Sequence, residues 1–183
     1  METSLKDIKE YSLDSFEDFR GEIYTTYQES EYPMKFNHDK VCTRYKDVLV
    51  GIHGDFATWK LVTCLYGRVY AVVVDNRPES IDYLKYKSFI LSHVNKKQLL
   101  LPPGIGNSFL VMSDFCVYNY KLSYLDGYKD VDEQFTLKWN DPAINVYWPI
   151  NNPILSERDS DARALTEKQI FGSLDLTTQE FPV

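Results

Sequence analysis

Three residues in the middle of the chain carry side chains suited to acid–base chemistry. His53 follows an apolar run at residues 48–52 that predicts a strand, so its imidazole is expected at a strand end. An imidazole exchanges protons near neutral pH and suits a general base. Lys60 opens the next apolar run, and Tyr120 lies in an alternating Tyr-Asn-Tyr-Lys stretch. On the pattern alone, a structural histidine, a solvated lysine at a strand edge and a core aromatic are the favoured interpretations, and the catalytic one stays open beside them.

The residue types and motifs in the sequence argue against a metal site or a site for an organic cofactor. The chain has three histidines, His38, His53 and His93, and no His-x-His pair. A catalytic metal site usually needs two histidines and a carboxylate in close array. The sequence also lacks a Gly-x-Ser-x-Gly nucleophile turn, a phosphate-binding glycine loop and a dinucleotide fingerprint. We therefore predict acid–base chemistry with no metal and no cofactor.

Composition narrows the class of protein. A chain of 183 residues suits one domain, residues 1–183, and a net charge of -7 argues against a general nucleic-acid binder. The three cysteines, Cys42, Cys64 and Cys116, are too sparse for a disulfide framework or a zinc site. The N-terminal residues are polar, and no run approaches the ~20 apolar residues that span a bilayer. We expect a cytoplasmic protein with reduced thiols.

The elements that must position these side chains are short strands. Aromatic residues make up 15% of the chain, with 14 Tyr, which favours β-structure. Apolar runs separated by turn residues predict strands at 60–66, 69–75, 83–91, 98–101, 108–112 and 116–122. Gly67 and Arg68 form the expected turn between the first two, and 166–171 is the one short helix predicted near the C-terminus. Many short strands with no long helical period between them predict an all-β sandwich or jelly roll.

The order of several short motifs resembles that of a known family. Val-Leu-Val-Gly-Ile-His at 48–53, Lys-Leu-Val at 60–62, Val-Asp-Asn-Arg at 74–77 and Tyr-Lys at 120–121 are four of them. Further matches are Arg-Gly at 20–21, Gly67, the run at 101–109, Trp-Asn-Asp-Pro at 139–142, Trp-Pro at 148–149 and Ile-Leu-Ser-Glu-Arg-Asp at 154–159. Together they resemble the dTDP-4-dehydrorhamnose 3,5-epimerase family from about Arg20 to Asp159. The resemblance implies a cupin jelly roll (a double-stranded β-helix) with short flanking helices, a homodimer, and cofactor-free epimerisation of a nucleotide-linked 4-keto sugar.

The resemblance also implies roles for four residues. His53, in the matching Gly-x-His, would remove a proton from a carbon next to the ketone, and Asp159 would orient it. Lys60 would stabilise the enolate oxygen electrostatically. Tyr120 would return a proton from the opposite face and so invert the centre.

The chain departs from the family pattern at positions expected to contact substrate. Asn107 stands where the hexose enzymes have a second histidine, which in them pairs with the aspartate that corresponds to Asp75. An asparagine can still form hydrogen bonds but cannot carry charge. Val50 replaces the family's arginine before Gly-x-His, and Lys40 and Arg44 are candidates to bind the diphosphate instead. Asn107 and Asp75 complete the predicted substrate-binding set.

Two further features bear on the substrate. The segment at 122–128 differs from the family's Tyr-Tyr-x-Pro and is expected to shape the sugar pocket. Ile-His-Gly-Asp at 52–55 and Trp-Lys-Leu-Val at 59–62, together with Asn107, resemble a subgroup acting on GDP-4-keto-heptoses for capsular polysaccharide. The alternatives are a dTDP-4-keto-6-deoxyglucose 3,5-epimerase of rhamnose synthesis, a 3,4-ketoisomerase and a non-catalytic sugar-binding cupin. Inversion at C3 alone or at C3 and C5 stays open.

Overall fold

The computed structural model describes residues 4–124 and 133–171. Twelve strands are present in these ranges, and all their mutual pairings are antiparallel. They are β1 (Lys9–Ser12), β2 (Ser15–Asp18), β3 (Gly21–Tyr24), β4 (His38–Tyr45), β5 (Leu49–Gly54), β6 (Trp59–Tyr66), β7 (Arg68–Asp75), β8 (Tyr86–Ser92), β9 (Lys97–Leu101), β10 (Ile105–Val111), β11 (Phe115–Ser123) and β12 (Phe135–Leu137). The prediction of an all-β chain is confirmed, and each predicted strand corresponds to one of β6 to β11.

The strands form two five-stranded sheets and a separate hairpin. The first sheet has the order β1-β9-β6-β11-β4 and the second has the order β12-β5-β10-β7-β8, while β2 pairs only with β3. From β4 to β12 the chain crosses from one sheet to the other at every connection except that between β7 and β8. This alternation is the path of a jelly roll. The predicted two-residue turn is tighter than expected, because Gly67 alone makes it, at φ +82°, and Arg68 already belongs to β7.

Two layers of apolar side chains hold the sheets in place. The main core lies between them and includes Val62, Val73, Leu99 and Phe109, all fully buried. A second layer covers the outer face of the second sheet, where side chains of β5, β7 and β10 pack against residues from the later part of the chain. Its members include Leu49, Ile52, Val72, Val74, Leu110, Leu137, Ile144 and Trp148. β5 and β10 are therefore covered on both faces, which fixes the strands that carry His53 and Asn107.

Short helices flank the sheets. α1 spans Glu157–Ser160 and α2 spans Glu167–Phe171, and two 3-10 turns lie at Leu5–Asp7 and Glu29–Glu31. α2 confirms the helix predicted at 166–171. The chain from 154 to 160 returns to the second sheet, where Val48 and Ile154 form a parallel bridge. In the described part of the chain, no helix is long and apolar enough to cross a membrane.

Candidate active site

A cavity of about 300 Å³ opens between the two sheets. The first sheet contributes residues from β4, β6 and β11, and the second contributes residues from β5 and β10. The described residues that line it are Lys40, Cys42, Arg44, Val50, His53, Lys60, Asn107, Tyr120, Leu122, Tyr124, Gln134 and Arg158. Six of the eight residues predicted as catalytic or substrate-binding are in this set. Of the other two, Asp159 contacts His53 directly and Asp75 lies elsewhere.

His53 and Asp159 form a pair at the base of the cavity. His53 Nε2 lies 2.8 Å from Asp159 Oδ1, and the aspartate side chain is 5% exposed. Asp159 Oδ2 accepts hydrogen bonds from Gly51 N at 3.0 Å and from Ser156 Oγ at 2.8 Å. Burial by itself raises the pKa of Asp159, but the hydrogen bonds from His53, Ser156 and Gly51 hold that pKa below its usual value. A fixed negative charge therefore orients the imidazole and stabilises its protonated form.

The sequence places Asp159 there through two local features. The chain at 154 is bound to the start of β5, because Leu49 N donates to Ile154 O at 2.9 Å and Ile154 N donates to Asp47 O at 2.8 Å. Gly51 then leaves room for the carboxylate, since a Cβ on this residue would lie 2.1 Å from Asp159 Oδ1. The glycine of the Gly-x-His motif is thus required by the close approach of Asp159 to the strand.

The second nitrogen of His53 contacts residues that the sequence analysis missed. Nδ1 lies 3.2 Å from Thr136 Oγ1, and this hydroxyl accepts a hydrogen bond from Arg158 Nε at 2.9 Å. Because a carboxylate only accepts, the tautomer assigned to His53 has its hydrogen on Nε2, and the Thr136 hydroxyl faces the lone pair of Nδ1. In this tautomer Nδ1 is the nitrogen that could take a proton. Arg158 could have been suspected from its place beside Asp159 in the closing motif, but nothing in the sequence singles out Thr136.

Lys60 lies buried on β6 in the same cavity. Its Nζ donates to the backbone oxygen of His53 at 3.4 Å and lies 3.9 Å from Asp55 Oδ2. The residue is 7% exposed. Burial lowers the pKa of Lys60 to about 8, nearby Lys40 lowers it too, and Asp55 opposes both. An ammonium group with so little water around it can stabilise a developing oxyanion strongly.

Tyr120 lies on β11 of the first sheet, across the cavity from the strand of His53. Its neighbours on the inner face are Tyr118, whose ring centroid lies 5.0 Å away, and Lys40, its partner residue on β4. Burial raises the pKa of Tyr120 well above its usual value, and nearby Arg44 offsets only part of this effect. The phenol therefore keeps its proton and can donate it, as expected of an acid facing the base.

The cavity is lined by cations. Lys40, Arg44, Lys60 and Arg158 are among its described lining residues, and that set contains no carboxylate. This contrasts with the net charge of -7 of the whole chain. A local concentration of positive charge suits an anionic ligand such as a diphosphate. Lys40 and Arg44 thus lie where the sequence analysis needed them, on the inner face of β4.

Asn107 is buried in the cavity beside His53, its partner residue on β5. The side chain is 4% exposed, and its Oδ1 has no hydrogen-bond partner among the described residues. It lies near the buried Tyr118 hydroxyl without reaching it in hydrogen-bonding geometry. An unpaired buried acceptor costs free energy, so this carbonyl is an available group for a ligand hydroxyl.

The expectation that Asp75 binds substrate is wrong in this structure. Asp75 is fully buried outside the cavity lining, and its carboxylate accepts hydrogen bonds from Arg77 Nε at 2.8 Å, Arg77 Nη2 at 2.7 Å and Ser80 Oγ at 2.7 Å. Arg77 in turn binds Asp7 at 2.9 Å. Asp75 is therefore a structural residue that fastens the N-terminal segment to the end of β7. Since its oxygens are already satisfied, it has no role in holding Asn107.

Two other predictions concern metal binding and the segment at 122–128. In the described part of the chain no group of three or more His, Cys, Asp or Glu side chains is arranged to hold a metal ion. Cys42, Tyr124 and Gln134 line the cavity although the sequence analysis gave them no role there. The segment at 122–128, expected to shape the sugar pocket, is described only as far as residue 124. Leu122 and Tyr124 do line the cavity, and residues 125–128 lie outside the described residues.

Comparison with known proteins identifies relatives of this chain. The family described as dTDP-4-dehydrorhamnose 3,5-epimerase matches residues 2–167. The protein of that name from Escherichia coli K12 is 34% identical over 175 residues, which cover 90% of this chain and 93% of the relative. The dTDP-4-dehydrorhamnose 3-epimerase of Streptomyces niveus is 36% identical over 145 residues, or 78% of this chain and 69% of the relative.

Solved structures agree with the sequence comparison. The dTDP-6-deoxy-D-glucose-3,5-epimerase of Legionella pneumophila, in complex with dTDP-4-keto-L-rhamnose, superposes with a TM-score of 0.82 at 28% identity, over 90% of each chain. This likeness confirms the predicted cupin jelly roll. With a match over residues 2–167 and relatives above 30% identity, the chain belongs to the dTDP-4-dehydrorhamnose 3,5-epimerase family and is an epimerase.

Proposed function

We propose that the protein epimerises a dTDP-linked 4-keto-6-deoxy sugar at carbons next to the ketone. The observation that carries the proposal is the arrangement of a buried His53–Asp159 pair on one sheet and the proton-bearing Tyr120 on the other, around one cationic cavity. A sugar between them presents one face to a base and the opposite face to an acid. A binding protein has no need of that arrangement.

The proposed reaction proceeds through an enolate. His53 Nδ1 takes the proton from the carbon beside the ketone, and the C–H electron pair becomes the C=C bond of the enolate. Charge moves to the ketone oxygen, where the Lys60 ammonium stabilises it. Tyr120 then delivers its proton to the opposite face of the carbon, and the phenolate and the imidazolium return to their starting states by exchange with water. Each such cycle of proton removal and return inverts one centre and consumes no cofactor.

The nucleotide is proposed from the relatives and from the charge of the cavity. The relatives described above carry names with dTDP-linked sugars, and one is a complex with dTDP-4-keto-L-rhamnose. Lys40, Arg44 and Arg158 supply the positive charge that a diphosphate needs. We therefore place the dTDP-linked hexose ahead of the GDP-4-keto-heptose that the sequence pattern favoured.

A GDP-4-keto-heptose for capsular polysaccharide is kept as a second candidate because of two cavity residues. Asn107 and Val50 line the site where the hexose pattern has a histidine and an arginine. The comparisons give no support to this substrate. The number of inverted centres is also open, since one relative is named a 3,5-epimerase and another a 3-epimerase.

The test is deuterium incorporation from heavy water. dTDP-4-keto-6-deoxyglucose and GDP-4-keto-heptose are supplied separately, and the products are followed by proton NMR and mass spectrometry. We expect exchange in the dTDP-sugar, at one position for a 3-epimerase and at two for a 3,5-epimerase. Exchange in the GDP-sugar alone would transfer the proposal to the second candidate. Exchange in neither would leave the 3,4-ketoisomerase and the sugar-binding protein.

We also propose that the protein is a homodimer and is cytoplasmic. A homodimer is supported by the hairpin of β2 and β3, where Phe16, Phe19 and Ile23 are 66%, 98% and 71% exposed. Such a patch is unusual on a monomer. Light scattering coupled to size-exclusion chromatography measures the mass directly.

Cys42, Cys64 and Cys116 are free thiols, in keeping with a cytoplasmic protein. We propose that the chain forms a single domain.

A further inference from the structure

Asp55 is a buried carboxylate that the reaction described above does not use. It follows His53 by two residues, at the end of β5, and is 5% exposed. Its Oδ1 accepts hydrogen bonds from Ala57 N at 2.9 Å and Thr58 N at 2.6 Å, and its backbone oxygen accepts one from Gly104 N at 2.7 Å. Two backbone N–H groups therefore hold the side chain in one place, and a third holds the backbone of the same residue.

The other oxygen of the carboxylate remains available. Oδ2 is buried without a hydrogen-bond partner among the described residues, and the atom that faces it is Lys60 Nζ at 3.9 Å. A buried carboxylate oxygen with no donor is costly, and an ammonium group opposite it reduces that cost. The turn between β5 and β6 thus places a negative charge beside the one buried lysine of the described chain.

Lys60 needs such a partner if it is to act on a substrate. The charged groups that face it are Asp55 from the turn and Lys40 from β4, while His53 presents its backbone oxygen. Arg44 and Arg158 line the same cavity. Lys60 is therefore surrounded mainly by cations and low-dielectric protein, both of which favour the neutral amine. Asp55 is the group that opposes them.

We propose that Asp55 is a positioning residue that keeps Lys60 protonated and holds its ammonium group between the His53 carbonyl and the cavity. The catalytic consequence of this inference rests on the proposed function, in which Lys60 stabilises the enolate. Asp55 closes the Ile-His-Gly-Asp stretch at 52–55, which the sequence analysis singled out. A neutral Lys60 would still donate a hydrogen bond but would lose most of its electrostatic effect on an enolate.

The first experiment measures the protonation of Lys60 without any substrate. Protein labelled with carbon-13 at the lysine ε position is titrated by NMR, and the Lys60 signal is assigned by its loss in Lys60→Met. The wild-type midpoint is expected near 8, where burial and Lys40 place the pKa against the opposing effect of Asp55. In Asp55→Asn the midpoint is expected to fall, because the negative charge that faces Lys60 among the described residues is removed. Asp114→Asn, at an exposed site, is the matched control and should leave it unchanged.

The second experiment follows kcat against pH with whichever nucleotide sugar the deuterium experiment shows to be turned over. Lys60 is charged below its pKa and neutral above it, so the basic limb of the wild-type profile should lie near pH 8. In Asp55→Asn this limb should move to lower pH, with kcat reduced most above neutrality and KM little changed. If Asp55→Asn does not fold, Asp55→Ser keeps a side-chain acceptor for Ala57 N and Thr58 N and removes the charge.

The outcomes separate this inference from the proposed function. A Lys60 midpoint that is the same in Asp55→Asn and wild type would overturn the inference, whatever the activity. So would a loss of kcat of equal size at every pH, which indicates a structural role. Failure of wild-type protein to turn over either nucleotide sugar would instead count against the proposed function, while the NMR midpoints would still decide the role of Asp55.

Discussion

The cavity has two groups of polar residues that differ in how completely their atoms are paired: the base side, His53 and Asp159, and the recognition side, Asn107 on β10 and Tyr118 on β11. On the base side, Asp159 Oδ1 lies 2.8 Å from His53 Nε2 as an ion pair, Asp159 Oδ2 accepts two hydrogen bonds, and Thr136 links His53 to Arg158. On the recognition side, Asn107 Oδ1 and the Tyr118 hydroxyl are buried and have no hydrogen bond or ion pair among the described residues. The base side is thus preorganised by the protein, whereas the recognition side keeps hydrogen-bonding capacity for a ligand.

This difference assigns separate tasks to the two sides. A base must be held in one tautomer and orientation before the substrate arrives, and every contact around His53 serves that end. A recognition surface must instead leave donors and acceptors open, which costs some stability. Substitutions on the base side should therefore lower both turnover and stability. Substitutions on the recognition side should affect turnover or affinity with little loss of stability.

Removing the base should have the largest effect. In His53→Asn the imidazole that accepts the proton is lost, and we expect kcat to fall by about 10²- to 10⁴-fold. Binding of dTDP, measured by calorimetry, should be retained because the cations of the cavity are unchanged. His93→Asn is the matched control, since His93 bonds to Gly67 O away from the cavity and should keep full activity. Normal turnover in His53→Asn would remove His53 from the mechanism.

Removing the acid should separate exchange from inversion. In Tyr120→Phe the base remains, so His53 can take a proton and return deuterium from heavy water to the same face. We expect inversion to fall by about 10²-fold or more while exchange into the unreacted substrate continues. Proton NMR measures both in one sample. Tyr66→Phe, at a residue 56% exposed, is the control. Equal loss of exchange and inversion would show that Tyr120 does not act after proton removal.

Neutralising Asp159 should lower both rate and stability. Asp159→Asn leaves a similar shape but removes the charge that orients His53, and we expect kcat to fall by about 10- to 100-fold. Loss of a buried charge-assisted hydrogen-bond network should also cost about 1–3 kcal/mol of unfolding free energy at neutral pH. Thermal unfolding measures this, with the exposed Asp161→Asn as control. An unchanged Tm would contradict the view that the base side is held together by Asp159.

The stability effect of Asp159 has a definite pH dependence. Its pKa is lowered in the folded protein, so its contribution to stability is present above the pKa of the unfolded chain. That contribution is lost as the pH falls through the folded-state pKa of the carboxyl group. The Tm difference between wild type and Asp159→Asn should therefore be greatest near neutral pH and shrink in acid. A difference that grows in acid would contradict this account.

Sequence reasoning was most successful where a function depends on one strand and its immediate neighbours. The strand of His53 and the closing segment with Asp159 are each weak motifs alone, and the order of all the motifs placed the chain in the right family. The approach of the two segments depends on Gly51, whose requirement becomes visible only when the carboxylate is seen against it. The resemblance therefore suggested the pair, and the structure supplied the reason for the glycine.

Reasoning failed where the partner of a side chain was assumed from another protein's site. Asp75 was expected at the substrate, but Arg77 lies two residues further along and binds its carboxylate outside the cavity. The Asp-x-Arg spacing itself could have suggested this local ion pair. Thr136 lies beside His53 because β12 pairs with β5 in one register, and that register cannot be read from a three-residue strand.

The smallest effect is expected on the recognition side, at Asn107. Asn107→Ala removes an unpaired buried carbonyl, so kcat/KM should fall about 10-fold through the lost contact with a substrate hydroxyl. The Tm should stay constant or rise slightly, because the desolvation penalty of that carbonyl disappears. The exposed Asn151→Ala is the control, and steady-state kinetics and thermal unfolding are measured on the same samples. A fall in Tm as large as that of Asp159→Asn, with kcat/KM unchanged, would mean that the two sides do not differ in the way described, since Asn107 would then be a structural residue like Asp75.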